Sequence, residues 1–262
     1  MRGAAVNIPN WLHPGEDAHV LDLASGVAAV CDGLGGHGHG DIASAVARDS
    51  ITAQLPPADE DRWPLTAANV CRTALVAARG ERREWSRMTC TLVLARVWPD
   101  GPYELAWCGD SRAYLLRTDW RLVPLTADHD LLYDQVQRGL ITPVKAAAVR
   151  SALADVESPS EAWRAAGGLG KRTYKKRNEM VSELSSGPID YVTGTLGEGD
   201  VLVLCTDGVH DNLTLSRMQA IAADEPDPTR LPQALADAAL ERARAEDGHA
   251  HPDDITCVAV AL

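Results

Sequence analysis

Acidic residues recur at the ends of short apolar, strand-like runs, and this placement constrains the chain more than any other feature of it. Asp32 follows GVAAVC, Asp110 follows ELAWCG, Asp207 follows VLVLCT, and Asp253 and Asp254 precede ITCVAVAL. Two are followed at once by glycine, as Asp32-Gly33 and Asp207-Gly208, which lets the backbone turn sharply and expose a carbonyl beside the carboxylate. A single aspartate at a strand end is an ordinary turn or cap residue. Four such ends ask for a shared cation, because converging carboxylates ionise together only at high cost and a hard divalent ion relieves the repulsion. Mg²⁺ or Mn²⁺ suits an all-oxygen donor set better than zinc does. Whether those strand ends meet is decided by the fold.

Runs rich in Val, Leu and aromatic residues predict strands over 19–23, 27–31, 89–98, 103–108, 112–117, 201–205 and 255–262. The turns Pro99-Asp100-Gly101-Pro102 and Gly109-Asp110-Ser111 make 89–117 an antiparallel meander. Helical periodicity falls at 41–55, with Asp41 as its cap, and at 65–85, 131–139, 213–223 and 231–245. This order predicts an α+β fold, with strands clustered and helices arriving before and after them, rather than a doubly wound parallel sheet. With 262 residues and no internal repeat, the chain is expected to form one domain, with an elaborated surface excursion at about 142–195.

Lys and Arg number 25 against 37 Asp and Glu, and the net charge of −12 argues against a nucleic-acid or anionic-membrane partner. No apolar run approaches the length of a spanning helix, and MRGAAVNIPNWLHPGED carries no secretory h-region, so the expected location is the cytoplasm. The six cysteines form no C-x-x-C pair and read as small buried hydrophobes rather than zinc ligands.

Residues 31–44, CDGLGGHGHGDIAS, resemble the D-G-x-G-G-H-x-x-G-x-x-A-S signature of bacterial PPM-family, type 2C metal-dependent serine/threonine protein phosphatases. Glu16-Asp17 is similar to the family's early acidic pair, Gly109-Asp110-Ser111-Arg112 to its G-D-S-R turn, and 125–129 (LTADH) to its L-T-x-D-H segment. Cys205-Thr206-Asp207-Gly208 resembles the C-S/T-D-G block and Asp253-Asp254-Ile255-Thr256 the closing D-N-I-T strand.

The resemblance implies an antiparallel β-sandwich flanked by helices, a four-layer α-β-β-α build, with a two-metal centre of Mg²⁺ or Mn²⁺ at one end. Asp32 would bridge both ions and orient the attacking water, the Gly33 carbonyl would bind the first ion, and Asp207 and Asp253 would hold the second. Glu16 and Asp17 would act directly or through water, Asp110 would bind a further, weaker metal, and His37 would be the general acid. The reaction implied is hydrolysis of phosphoserine or phosphothreonine in proteins by attack of a metal-bridging water.

The chain departs from the pattern at three places. The family's phosphate-binding arginine position is Leu12, with His13 beside it; Gly15 stands where bacterial members often have Asn; and the Asn of D-N-I-T is Asp254. The excursion carries the basic run Lys171-Arg172-Thr173-Tyr174-Lys175-Lys176-Arg177, in which Lys175, Lys176 and Arg177 are candidates to supply the phosphate attraction or to dock an acidic partner. Three readings stay open: a phosphoprotein phosphatase, the same centre acting on a small phosphorylated metabolite or other phosphoester, and a weakly active regulatory or binding module. Residues 33–38 (GLGGHG) also match G-x-G-x-x-G, but no second parallel strand ending in an acidic residue follows.

Overall fold

The computed structural model describes residues 1–11, 14–34, 39–56, 62–177, 179–245 and 250–262. In chain order the strands are β1 (Arg2–Ile8), β2 (Asp17–Asp22), β3 (Val27–Leu34), β4 (Thr89–Cys90), β5 (Leu92–Val97), β6 (Pro102–Cys108), β7 (Arg112–Leu116), β8 (Leu122–Pro124), β9 (Asp190–Thr195), β10 (Val201–Cys205) and β11 (Ile255–Ala261). The helices are α1 (Gly40–Thr52), α2 (Trp63–Glu81), α3 (Leu131–Gln137), α4 (Pro143–Leu153), α5 (Pro159–Lys175), α6 (Asp207–His210), α7 (Leu215–Asp224) and α8 (Leu231–Ala243).

Two antiparallel sheets result, one in the order β1-β11-β10-β7-β8 and the other β2-β3-β5-β6-β9, with β4 extending the pairing of β3. Alternate residues of the inner strands serve different cores. Leu202, Leu204, Val258 and Val260 meet Val30, Val93, Ala95 and Leu105 between the sheets. Val203, Cys205, Cys257 and Ala259 face the other way, onto Met218, Leu235 and Ala239 of α7 and α8. On the far side, Ala29, Cys31, Leu92 and Leu94 pack against Ala43, Ala47, Cys71 and Leu75 of α1 and α2. The layers are therefore α-β-β-α. Both faces of β10 and β11 are covered, so, instead of alternating, β10 is an unbroken apolar run and β11 is interrupted only by the buried Thr256, and each buried Leu or Val side chain contributes roughly 1.5–3 kcal/mol.

Three local expectations are corrected. β5 and β6 form a hairpin, but β7 pairs with β10 in the opposite sheet, so Gly109-Asp110-Ser111 carries the chain across the sandwich instead of closing a meander. Gly109 makes this crossing with φ +103°, in the left-handed region, against the side chain of Thr91. Asp41 is not the cap of α1: it lies in the first turn, and the Gly40 N–H donates at 3.2 Å to Oε1 of Glu16, from the β1–β2 connection. The half-buried edge strands β1 and β9 lie where no strand is expected, β9 within the 142–195 stretch. Within that stretch α5 runs through Gly167, Gly168 and Gly170, with a kink at Ala166 and Gly167 (φ +62°).

Candidate active site

The registers bring the acidic strand ends to one end of the sandwich. Asp17 at the start of β2 is the direct partner of Asp32 near the end of β3. Cys205 at the end of β10 pairs with Cys257 of β11 on one side and Arg112 of β7 on the other. Asp207 and Asp110, two residues beyond those positions, and Asp253, four residues beyond, therefore share that end. Asp207 opens α6, and Asp211 follows one helical turn later, its N–H donating to the Asp207 carbonyl at 2.8 Å.

Neutral and backbone groups hold these segments in place. The Thr206 hydroxyl donates to Asp17 Oδ2 at 2.8 Å, tying the end of β10 in one sheet to the start of β2 in the other. Thr91 Oγ1 accepts the Asp32 N–H at 2.9 Å and lies 2.7 Å from Ser111 Oγ, joining Asp32 to the crossing that bears Asp110. The Asp254 carboxylate accepts the N–H groups of Asn10 (2.5 Å), Glu16 and Asp17 (3.2 Å), which makes it an anchor for the β1–β2 connection. Gly33 and Gly40 meet backbone to backbone, and a Cβ on either would collide with the carbonyl of the other.

The electrostatics of this end are those of anions lacking a countercharge. Burial, reinforced by Asp207, Asp17, Asp110 and Asp253, pushes the Asp32 carboxyl well above the usual carboxylate range. Burial together with Asp110, Asp253, Asp211 and Asp17 does the same for Asp207. Asp17 is pushed up to about 8, mainly by burial, with Asp254 and Asp253 adding to it. Asp110 reaches about 7 through burial and the neighbouring Asp128 and Asp211. One Asp207 oxygen, Oδ1, is buried with no hydrogen-bond partner. A hard divalent cation fits that orphaned oxygen and this all-oxygen donor set. Among the described residues, no three acidic, imidazole or thiol groups close into a ready-made cage; Asp17 and Glu16 are turned onto Thr206 and Gly40 instead.

Beside the carboxylates lies a second, charge-compensated network. Arg112 grips Asp128 through two bonds of 2.9 and 2.7 Å, and Arg150 of α4 grips Asp130 at 2.9 and 2.6 Å while donating to the Asp128 carbonyl. Although burial opposes it, Arg112 and Arg150 hold the Asp128 carboxyl far below its ordinary range. His129 is not an acid/base partner for Asp128: its Nδ1 accepts the Gly109 N–H at 3.3 Å and its Nε2 lies 3.3 Å from Asp190.

Of the candidates read from the sequence, Asp17, Asp32, Asp110, Asp207 and Asp253 stand in mutual electrostatic reach, with Glu16 and Gly33 packed alongside. His37 and His13 lie outside the described residues. In the basic run, Arg177 turns toward the centre, its Nε 3.5 Å from Asp211 Oδ2 and its guanidinium also meeting His251 and the Tyr174 ring. Lys176 pairs with Glu179 at 2.5 Å, and Lys175 is exposed. Thr91, Thr206, Asp211 and Arg150 are structural participants that the motif reading passed over.

A helix-flanked double sheet that gathers buried carboxylates at one end defines a metal-dependent phosphatase. The protein phosphatase 2C family model matches residues 13–238, and the chain belongs to that family. It is 26% identical over 205 residues to the serine/threonine phosphatase stp of Listeria innocua, covering 74% of this chain and 71% of that protein. To the serine/threonine protein phosphatase PstP of Mycobacterium tuberculosis it is 27% identical over 192 residues, 70% of this chain and 31% of that protein's length. The crystal structure of the PstP catalytic domain in complex with two manganese ions shares the fold, with TM-score 0.72, 22% identity, and coverage of 98% of this chain and 96% of that one. Among the described residues no helix is long and apolar enough to cross a membrane.

Proposed function

We propose that this phosphatase hydrolyses phosphoserine and phosphothreonine esters in proteins, using two divalent ions, Mg²⁺ or Mn²⁺, held by Asp32, the Gly33 carbonyl, Asp207 and Asp253. The observation that carries the metal assignment is the buried Asp207 carboxylate, with its orphaned Oδ1 and its repulsion with Asp32. Its kinship with the Listeria and mycobacterial serine/threonine phosphatases supports the substrate class. When bound, such ions neutralise phosphoryl oxygens and bring the pKa of a coordinated water toward neutrality.

The chain's own groups supply the rest. Thr206 orients Asp17, and Thr91 fixes the backbone of Asp32. Asp110, next to the compensated Arg112–Asp128 pair, is the proposed ligand of a further, weaker ion. His37 is the proposed proton donor to the departing serine or threonine oxygen, as a histidine near its working pKa suits a poor leaving group. For phosphate attraction, His13 and Lys175 remain candidates, while Lys176 and Arg177 are engaged by Glu179 and by Asp211. Six free, buried cysteines, with burial pushing thiols such as Cys205 up to about 12, accord with the proposed cytoplasmic location.

The test is phosphate release from a phosphothreonine peptide and from a small aryl phosphate, with Mn²⁺ and with chelator, against Asp207→Ala. Metal-dependent release from the peptide, lost in the variant, is expected. Release from the aryl phosphate alone would overturn the protein substrate, and no release by a sample that binds Mn²⁺ would overturn the enzymatic reading.

A further inference from the structure

The second half of α5 is the part of the molecule whose charge runs against the rest. In a chain of net charge −12, Lys171, Arg172 and Lys175 are exposed within five positions, and among the described residues no carboxylate pairs with them. Residues 171 and 175 stand one turn apart and Arg172 beside them, so the three charges share one side of the helix. The Trp163 ring lies beside Gly168, just past the kink, and is 56% exposed, which adds an aromatic surface to the basic one.

This helix is fixed in place. Arg177, two residues past its end, is latched to Asp211 and His251 at the acidic centre. Gly170 packs against the Ala162 carbonyl so closely that a Cβ would collide with it. The α4–α5 connection is tied to α7 by the Leu215 N–H on the Ala154 carbonyl (3.0 Å) and the Ser216 N–H on Asp155 (2.7 Å). A basic, partly aromatic platform thus begins beside the carboxylates and leads away from them.

We propose that this face of α5 binds an acidic segment of the protein substrate, away from the phosphorylated side chain, so that the enzyme selects carboxylate-rich phosphoproteins. The proposal rests on the phosphatase reading above. From Arg177 to Lys171 the helix rises about 9 Å at ~1.5 Å per residue. An extended peptide advances ~3.3 Å per residue. The Arg177–Lys171 rise equals about three extended residues, so carboxylates at least that far from the phosphorylated position, which lies on the carboxylate side of Arg177, would meet Lys171, Arg172 and Lys175. The excess negative charge elsewhere on the protein repels the same segment and favours this one landing place.

The experiment compares phosphothreonine peptides carrying Glu or Ala three to six residues to either side, with a small aryl phosphate as the reference, on the wild-type protein and on Lys171→Ala/Arg172→Ala. We expect the wild type to prefer a Glu peptide through KM, by about tenfold. The double variant is expected to lose most of that preference, with kcat and aryl phosphate hydrolysis unchanged, and raising salt from 50 to 300 mM should erode it in the wild type. Fluorescence anisotropy of a labelled, unphosphorylated Glu peptide gives a binding readout independent of turnover. No Glu preference in the wild type, or equal loss on peptide and aryl phosphate in the variant, would overturn the proposal. Failure of the wild type to hydrolyse either substrate would instead sink the phosphatase reading, and the anisotropy measurement would still decide whether the α5 face binds acidic chains.

Discussion

Asp254 Oδ1 accepts the backbone N–H of Asn10 at 2.5 Å across 244 residues of chain, while its other oxygen takes the N–H groups of Glu16 and Asp17. One carboxylate thus closes the loop that delivers the acidic pair to the centre. Removing it in Asp254→Ala strands buried donors, and we expect a loss of about 3 kcal/mol in urea unfolding. Mn²⁺ affinity should fall with it, because Glu16 and Asp17 lose their anchor. An Asp254→Ala protein with wild-type stability and metal affinity would contradict this role.

Asp207 trades stability for function. In the metal-free protein burial and the neighbouring carboxylates disfavour its ionised form, so Asp207→Asn should melt higher than wild type in chelator at pH 8, although it loses at least 100-fold in metal-dependent turnover, an order of magnitude set by the loss of a metal's charge stabilisation. Thermal melts with and without Mn²⁺ check both halves. A lower melting temperature for the metal-free variant would refute the account.

The pH dependence follows from the same carboxyls. Asp17 at about 8 and Asp110 at about 7 are raised in the folded state, whereas unfolded aspartate titrates near ~4. Between those limits the folded protein holds more protons than the unfolded one, so metal-free stability falls as pH rises from about 4 to about 8. The slope is about 1.4 kcal/mol per pH unit for each retained proton. Divalent ions replace those protons, so the melting shift caused by Mn²⁺ should be larger at pH 8 than at pH 5.5.

Arg150 carries the attachment of α4. Its guanidinium meets Asp130 at 2.6 Å and the Asp128 carbonyl at 2.8 Å, and Arg150→Ala leaves two buried carboxylates with less compensation. We expect a cost of about 3 kcal/mol. Limited proteolysis should then cut within 140–180 well before the sandwich unfolds. Arg150→Lys should recover only part of the loss, since an ammonium cannot reproduce the bidentate grip.

Glu16 has a capping role that its place in an acidic pair conceals. Because it accepts the Gly40 N–H, Glu16→Ala should destabilise α1 by about 1 kcal/mol, while Glu16→Gln, which keeps an oxygen there, should stay close to wild type. Equal stability of the two variants in chelator would show that the cap is not used.

What the sequence made legible was governed by burial on both faces. β10 is apolar throughout and β11 apolar but for the buried Thr256 because each lies between two cores, and their ends are marked by Asp207 and Asp253. The half-buried edge strands β1 and β9 carry weak apolar patterns, RGAAVNI and DYVTGT, so they were not legible. The α5 glycines imitate a loop, yet Gly170 is there because the Ala162 carbonyl leaves no room for a side chain. The acidic centre was legible as a set of strand ends. Its supports were not, because Thr206 on Asp17, Glu16 on Gly40 and Arg150 on Asp130 are contacts between residues 20 to 189 positions apart.

β11 lies between β1 and β10, so the first strand of the chain has no partner in its sheet until residues 255–261 are available. Asp253 and the Asp254 clamp stand immediately before that segment. Residues 1–252 contain Asp17, Asp32, Asp110 and Asp207 but lack the strand that joins β1 to β10. A fragment that stops short of β11 is therefore expected to leave those carboxylates unassembled and to be inactive.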